Sequence, residues 1–125
     1  MIHGVGIDVI EVERVQARVS SENGFREYVF SLHEIEYCEG KANKYEHYAA
    51  RFAAKEAFLK AMGTGWSGDT AFHEIEVRQE GFVRPEIRLY GKTLETFNRL
   101  TPGKISLSLS HLKSIATAIV IIEQA

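Results

Sequence analysis

The most informative pattern along the chain is a helical one, which extends from about Tyr45 to Met62. Its residue types favour a helix, and Gly63 follows at the position where a glycine commonly caps a helix C-terminus. At about 100° per residue, large apolar side chains fall on one side of this helix and alanines on the opposite side. An alanine side allows close packing, so we expect much of the helix to be buried. Charged residues lie between the two sides, where charge next to packed surface needs a partner such as a metal or a phosphate. The apolar residues are Tyr48, Phe52 and Leu59, the alanines are Ala50, Ala53, Ala54, Ala57 and Ala61, and the charged residues are Arg51 and Lys55 on one flank and Glu56 and Lys60 on the other.

Alternating apolar and polar positions, turn residues and capping patterns predict the other elements. Ser31 and Glu34 form a capping-box pattern that opens a helix ending near Gly40. Strands and helices are interspersed without a regular βαβ repeat, and the last two strands form a hairpin. This order favours the α+β class, with an antiparallel sheet packed on the long alanine-rich helix in a single domain, residues 1–125. The further predicted elements are strands at 2–9, 72–79, 85–90, 105–111 and 115–123 and helices at 11–20 and 91–100.

Composition narrows the functional classes. The 125 residues, 45% of them hydrophobic, suffice for one domain with its own core. A net charge of −2 argues against a nucleic-acid binder that relies on bulk charge. There is no apolar run of about eighteen residues and no basic N-terminal region, so we expect neither a membrane span nor a signal peptide. The single cysteine, Cys38, cannot form an internal disulfide, and together these features predict a cytoplasmic protein.

Asp8, near the end of the first strand, allows two interpretations. Alternation along the strand places Gly4, Gly6 and Asp8 on one face, where the glycines would leave open space beside the carboxylate. Alternatively, Asp8 and Glu11 fit a capping box for the following helix, and aspartate is a favoured N-cap residue. On this segment alone, the capping interpretation is favoured.

Glu56 and Lys60 are spaced i, i+4 in the favourable order, which is ordinarily a surface ion pair worth roughly a few tenths of a kcal/mol. That interpretation is weakened here because the uncharged residues around the pair are almost all apolar or alanine. The loop that starts Gly63-Thr64 follows a helix, whereas a phosphate-binding P-loop precedes one. Helix capping therefore explains Gly63 better, with Trp66 placed to cover a pocket.

The predicted strand that ends at His111 carries serines alternating with leucines, from Ser106 to Ser110. Small serines suit a strand that packs against the alanine side of the helix. His111, at the strand end, can reach a site, although a structural histidine is the commoner case. Spacing shows no nucleophilic Ser–His or Ser–Lys arrangement. The two His-Glu-Ile-Glu segments, at 33 and 73, both lack the second histidine of a zinc-protease motif.

Three segments in a fixed order give a specific combination. They are Gly6-Ile7-Asp8 followed by Glu11 and Arg14, then the run from Phe52 to Gly65 (FAAKEAFLKAMGTG), then Ser108-Leu109-Ser110-His111. This combination resembles the holo-[acyl-carrier-protein] synthase family, the small single-domain class of 4′-phosphopantetheinyl transferases. The resemblance extends from residue 3 to the closing hairpin. Leu112, where a polar residue is expected, and the bulky Trp66 depart from the family pattern.

The resemblance implies a magnesium-dependent transfer of 4′-phosphopantetheine from coenzyme A to a serine of apo acyl carrier protein, releasing adenosine 3′,5′-bisphosphate, for fatty acid biosynthesis. It also implies a homotrimer with coenzyme A in the clefts between subunits. Magnesium usually takes one or two carboxylates together with substrate phosphates and water. Asp8 and Glu56 are therefore the expected metal ligands and catalytic residues, and catalytic Lys60 is expected to stabilise the leaving phosphate or donate a proton.

The same resemblance suggests roles for the remaining charged residues. Arg51 and Lys55 are candidates for other phosphates of coenzyme A, while His111 and Gly63 are candidates for binding the same molecule. On the helix after Asp8, Arg14 and Arg18 form a basic surface for the acidic carrier protein, although without the family they would be a solvated helix face. The acceptor of the serine proton stays open, because a metal-bound water could be polarised by Asp8 or by Glu56.

Two alternative functions remain open. A non-catalytic trimeric module that binds coenzyme A or a nucleotide would keep the helix and the strands, but it would not need both carboxylates. The joint presence of Asp8, Glu56, Lys60 and His111 argues against that alternative. The second is the same transfer to carriers of polyketide or peptide synthases, which the sequence does not distinguish.

Overall fold

Two antiparallel sheets and one long helix organise the fold. The structure is a computed structural model that describes residues 1–64, 69–100 and 103–124. A three-stranded sheet has the order β1-β5-β4, and β2 pairs with β3 in a second, smaller sheet. The α+β class and the antiparallel pairing are therefore confirmed. The elements are β1 (Ile2–Glu11), α1 (Val12–Ser20), α2 (Phe25–Val29), α3 (Leu32–Glu39), α4 (Lys44–Met62), a 3-10 turn (Phe72–Glu74), β2 (Ile75–Arg78), β3 (Glu86–Leu89), α5 (Gly91–Leu100), β4 (Gly103–His111) and β5 (Ile115–Gln124).

Helix α4 lies directly against β1 because two glycines of the strand leave no side chain between them. A Cβ atom at Gly4 would overlap the carbonyl oxygen of Ala61, and one at Gly6 would overlap that of Ala57. Both alanines are buried in this contact. The glycines therefore bring helix and strand together. The prediction that they leave open space beside Asp8 is wrong.

The core fills the space between α4 and the inner face of the larger sheet. On β4, Leu107 is buried and pairs with Val120 of β5, which is fully buried in the same cluster. Because alternate residues of a strand face opposite sides, the serines of β4 lie on the outer face, with Ser108 and Ser110 exposed. The alternation was correctly predicted, but the prediction that the serines face the alanine helix is wrong, because the leucines do.

Several element boundaries differ from the predicted ones. Strand β1 continues to Glu11 because pairing with β5 holds it extended as far as Ile115. The short helix α2 was not predicted, since five residues are too few to show a helical period. Residues 72–74 form a 3-10 turn, so the predicted strand begins only at Ile75. The prediction for Trp66 lies outside the described residues.

Two further predictions concern single features. The capping box of α3 is confirmed, since the Ser31 hydroxyl accepts from the Glu34 amide and the Glu34 carboxylate accepts from the Ser31 amide. Cys38 is a buried free thiol, and burial raises its pKa to about 12, so it stays protonated and unreactive. In the described ranges, no helix has both the length and the apolar character needed to cross a bilayer.

Candidate active site

Asp8, Glu56 and Lys60 come together where β1 passes α4. The Lys60 ammonium donates to Asp8 Oδ1 at 3.0 Å and to the carbonyl oxygen of Ile7, also at 3.0 Å. Lys60 thus reaches across to the strand, and among the described residues it forms its ion pair with Asp8 rather than the expected one with Glu56. The Asp8 side chain is 16% exposed and that of Lys60 is 55% exposed, so the pair lies at the surface of a shallow site.

Asp8 does not cap helix α1. The N-cap residue is Glu11, whose side chain makes no capping hydrogen bond, and Asp8 lies within β1, opposite Ala118. The backbone carbonyl of Asp8 accepts from the Thr117 hydroxyl at 2.8 Å. The capping interpretation is therefore wrong. The Asp8 carboxylate is instead directed to the cluster with Lys60.

The two carboxylates are close enough to influence each other. Burial raises the pKa of Glu56, the negative charge of Asp8 raises it further, and Lys60 opposes both effects. A cation between the two carboxylates would relieve this repulsion and the cost of burying Glu56. Two hard oxygen donors fit magnesium, which completes its octahedron with phosphates and water. Among the described residues, no group of three or more His, Cys, Asp or Glu side chains is arranged to hold a metal.

A cavity of about 430 Å³ surrounds these carboxylates and has a basic rim. Arg14 and Arg18, one turn apart on α1, line it together with Asp8 and Glu56. Both arginines are exposed, and the Arg18 guanidinium lies 5.8 Å from the centre of the Phe25 ring. The structure therefore brings the predicted metal ligands and the predicted docking residues to one cavity.

A second cavity, of about 720 Å³, contains Arg51. This side chain is only 1% exposed, and its guanidinium stacks 4.1 Å from the centre of the Tyr37 ring. Its Nη1 donates to the carbonyl of His47 over a long 3.4 Å, whereas Nε and Nη2 have no partner among the described residues. Buried donors without acceptors destabilise a fold by roughly 1–3 kcal/mol each, and more when charged. These two donors of Arg51 are therefore available to hydrogen-bond acceptors that enter the cavity.

His111 lines the same cavity as Arg51. Its Nδ1 lies 2.8 Å from Oε1 of Glu46, and its ring centre is 5.0 Å from that of His47. Burial, Arg51 and His111 together lower the pKa of His47 to about 4, so His47 is neutral near pH 7. Among the residues that the structure describes, this cavity and that of the carboxylates have no lining residue in common. Within one chain, the structure therefore does not bring His111 and Arg51 together with Asp8 and Glu56.

Lys55 was predicted to bind a phosphate, but in the structure it is buried and bonded to groups inside the fold. It is fully buried, and its ammonium donates to Glu34 Oε1 at 2.8 Å, to the carbonyl of Phe72 at 2.9 Å and to that of Ile75. All three donors are used, so none remains for a ligand, and the prediction of phosphate binding by Lys55 is wrong. Burial also lowers the pKa of Lys55. Since Glu34 also accepts from the amide of Val77, this ion pair joins α3, α4 and β2.

Gly63 caps the C-terminus of α4, directly after Met62. Its φ of 81° is left-handed, and its amide donates to the carbonyls of Leu59 and Lys60. The capping prediction is confirmed, because a glycine adopts this conformation without the steric cost of a side chain. The cap fixes the end of the helix turn that carries Lys60.

Glu46, His47 and Tyr37 were not predicted as neighbours of the second cavity. His47 precedes Arg51 by four residues and so lies on the same face of α4, a signal that could have been used. Glu46 and His111 are 65 positions apart, and no spacing rule connects them. The buried partner of Lys55, Glu34, was recognised only as part of a capping box.

Comparison with known proteins agrees with this geometry. Residues 4–120 match the family model of the 4′-phosphopantetheinyl transferase superfamily. The chain belongs to that superfamily. It is 42% identical to the holo-[acyl-carrier-protein] synthase of Geobacter metallireducens over 99% of both chains, and 49% identical to that of Ruminiclostridium cellulolyticum over 94% of this chain and 90% of the relative. The family recognised from three sequence segments is therefore confirmed.

The fold is also that of solved members of the family. It is similar to a holo-(acyl-carrier-protein) synthase from Bacillus anthracis in complex with CoA (3′,5′-ADP), with a TM-score of 0.82 and 34% identity. The similarity covers 100% of this chain and 99% of that one.

Proposed function

We propose that this chain transfers 4′-phosphopantetheine from coenzyme A to a serine hydroxyl of an apo acyl carrier protein and releases adenosine 3′,5′-bisphosphate. The observation that carries the proposal is that one small chain has both a pair of neighbouring carboxylates and a separate cavity with unpartnered donors of a buried arginine. The first suits a phosphoryl group under attack, and the second suits another phosphate of the same substrate. Relatives named as this synthase, at 42% and 49% identity, support the same reaction.

In this proposal, Asp8 and Glu56 would hold Mg²⁺ through their carboxylate oxygens. When bound there, the ion would supply the positive charge that offsets negative charge on the phosphoryl group under attack and on the leaving phosphate. Asp8 is kept in place by β1, and Glu56 by the buried helix next to it. The serine proton would go to a water polarised by Asp8 or by Glu56.

Lys60 is proposed to neutralise the negative charge of the leaving group. Its ammonium lies 3.0 Å from Asp8, and its side chain is more than half exposed, so it can turn towards a phosphate bound beside the carboxylates. There it stabilises the leaving bisphosphate or donates a proton to it. Gly63 belongs to the same end of α4, where its cap keeps the last helical turn in place.

Arg51 and His111 bind a different part of coenzyme A, for which its 3′-phosphate is the natural ligand. Because no described residue lines both their cavity and the carboxylate site, the substrate is proposed to bridge two protomers. The outer face of β1, an edge strand, supports a homotrimer, since Val5, Ile7 and Val9 are all exposed there. Covering these side chains would place neighbouring protomers beside the active site.

The carrier protein is proposed to dock on α1. Arg14 and Arg18 line the rim of the carboxylate cavity, so an acidic surface bound there would present its serine to the reacting phosphate. We also propose a cytoplasmic location, in keeping with the single cysteine of the chain, which is a free thiol.

Mass spectrometry tests this function directly. An apo acyl carrier protein incubated with this chain, coenzyme A and Mg²⁺ should gain one phosphopantetheine, and an equal amount of adenosine 3′,5′-bisphosphate should appear. Binding of coenzyme A without any change in the carrier's mass would contradict the proposal and favour a non-catalytic module. Carriers from polyketide and peptide synthases, tested in parallel, define the carrier range.

A further inference from the structure

We propose that Glu46 is a positioning residue for coenzyme A, which holds the ring of His111 so that its Nε2 edge meets an anionic group of the ligand. The proposal rests on the proposed function, in which His111 and Arg51 form the second anion-binding site. Glu46 itself does not line that cavity, whereas His111 does. The carboxylate therefore contacts the imidazole from behind the binding surface.

The contact between the two side chains determines which nitrogen faces the ligand. Glu46 Oε1 lies 2.8 Å from Nδ1 of His111, and a carboxylate can only accept, so Nδ1 carries the hydrogen. The other nitrogen, Nε2, is then the group left for a ligand. An anion at Nε2 needs a hydrogen on that nitrogen as well, so the ring binds it as an imidazolium, which the Glu46 carboxylate at Nδ1 favours. Without Glu46, the ring could rotate and this charge would lose its partner.

The surroundings show why this carboxylate matters for an anion. His111 and Glu46 are both partly buried, at 26% and 19% side-chain exposure, and the cavity also holds the Arg51 guanidinium. An imidazolium that binds a phosphate beside Arg51 experiences repulsion from it, which a carboxylate at Nδ1 offsets. His47 packs edge-on against the His111 ring, and its lowered pKa keeps it neutral, so it limits rotation without supplying the charge.

Glu46 connects elements that are far apart in the chain. It lies in the first turn of α4, and His111 is the last residue of β4. A purely structural role, in which the pair only fastens the strand end to the helix, predicts lower stability when Glu46 is changed but normal ligand affinity in the folded protein. A positioning role predicts a specific loss of affinity. The two roles therefore differ in a measurable quantity.

The experiment measures binding of adenosine 3′,5′-bisphosphate by calorimetry without a metal, in the wild type and in Glu46→Ala and Glu46→Gln. We expect Glu46→Ala to weaken binding roughly tenfold or more, as for a lost hydrogen bond to a charged group. Glu46→Gln should recover part of the loss, because its amide oxygen can still accept from Nδ1. In steady-state assays, the KM for coenzyme A should rise while kcat changes little.

Ring ¹⁵N NMR of the ligand-free protein gives a second readout. Neutral His111 should carry its hydrogen on Nδ1 in the wild type and lose this preference in Glu46→Ala. Glu39→Gln is the matched control: Glu39 accepts from the Tyr48 hydroxyl at 2.7 Å between α3 and α4 but does not line the cavity. It should leave both the affinity and the His111 tautomer unchanged.

The outcomes separate this proposal from the proposed function. If Arg51→Ala and His111→Ala weaken binding but Glu46→Ala does not, the positioning role is wrong and the anion site stands. If neither Arg51→Ala nor His111→Ala weakens binding, both proposals are wrong. An unchanged tautomer in Glu46→Ala would also overturn the role proposed for Glu46.

Discussion

The charged residues of α4 show how neighbouring positions of one helix acquire different roles. Lys55 and Glu56 are adjacent in sequence, yet Lys55 is fully buried with all its donors used, while Glu56 lies half-buried beside Asp8. Lys60, one turn later, reaches across to the strand. Helix geometry alone predicted that these charges need partners. It could not predict whether the partner is a buried carboxylate, a strand residue or a ligand, because those partners come from other parts of the chain.

The first prediction concerns the carboxylate pair. Replacing Asp8 or Glu56 with Ala should lower the rate of carrier modification about 10²-fold or more, a typical effect of removing a key electrostatic element. Folding should be preserved, because Asp8 caps no helix and its ion pair with Lys60 is at the surface. Initial rates and thermal unfolding of each variant check both statements. Helix loss in Asp8→Ala would contradict them.

The second prediction uses the raised pKa of Glu56. A carboxyl group with a higher pKa in the folded state than in the unfolded state binds protons more strongly when folded, so stability falls as pH rises through that interval. In the metal-free protein, Glu56→Gln should therefore unfold at a temperature equal to or above that of the wild type at pH 7. The difference should disappear as the pH falls below the ordinary pKa of a glutamate, where Glu56 is protonated in both the folded and the unfolded state.

Thermal unfolding in a chelator across this pH range provides the test. Glu39 is a control for which the opposite change in stability is expected. A hydrogen bond from Tyr48 and the contact with Lys44 lower the pKa of Glu39, so Glu39→Gln should be less stable than the wild type at pH 7. A Glu56→Gln variant that is less stable than the wild type at pH 7 would contradict the picture of two repelling carboxylates. Activity should be lost in Glu56→Gln even though stability is not.

At the scale of elements, the contact of α4 with β1 depends on the absence of side chains. Gly6→Ala should destabilise the protein by about 1–3 kcal/mol or more, because the new Cβ would overlap backbone atoms of α4 that cannot move separately. Gly40→Ala is a suitable control, since its Cβ would meet only ordinary contacts at 3.6 Å. Denaturant unfolding of both variants compares them. Equal stabilities would show that the helix can shift away from the strand at little cost.

The buried ion pair between α3 and α4 leads to the fourth prediction. Lys55→Ala should cost about 3–5 kcal/mol, since it leaves the Glu34 carboxylate buried without its cation. The remaining folded protein should bind coenzyme A normally, because Lys55 lines neither of the two cavities of the proposed site. Lys60→Ala is the comparison, with nearly unchanged stability and strongly reduced activity. Calorimetric titration at a temperature where both variants are folded checks the binding statement.

Sequence patterns predicted most of the helices and strands, but they did not predict which face of each one is buried. The capping box at Ser31 and the glycine cap at Gly63 are local features, and both were predicted correctly. The orientation of β4, with Leu107 inside and Ser108 outside, was not, because small residues fit either a tightly packed or an exposed surface. That Asp8 shares a site with Glu56 and Lys60 was accessible only through the family resemblance, and the ion pair of Lys60 with Asp8 was not predicted.

At the scale of the whole molecule, the two cavities are separate within one chain. In the described part of the chain, the carboxylates and the Arg51–His111 site have no lining residue in common, although a single coenzyme A is proposed to use both. A homotrimer with shared clefts would resolve this separation. Light scattering should then give about three times the chain mass of 14.1 kDa. A fully active monomer would exclude shared clefts.

Mixing inactive variants tests the sharing itself. If one protomer supplies Glu56 and its neighbour supplies Arg51, then Glu56→Ala and Arg51→Ala protomers can together form intact clefts. After random exchange of equal amounts, about a quarter of the clefts should be intact and activity should recover accordingly. Asp8→Ala mixed with Glu56→Ala is the matched control, because both residues line the same cavity and no cleft can then hold the complete pair. No recovery in the first mixture would place the complete site within a single protomer, and recovery in the control would contradict the placement of Asp8 and Glu56 in one cavity of the same chain.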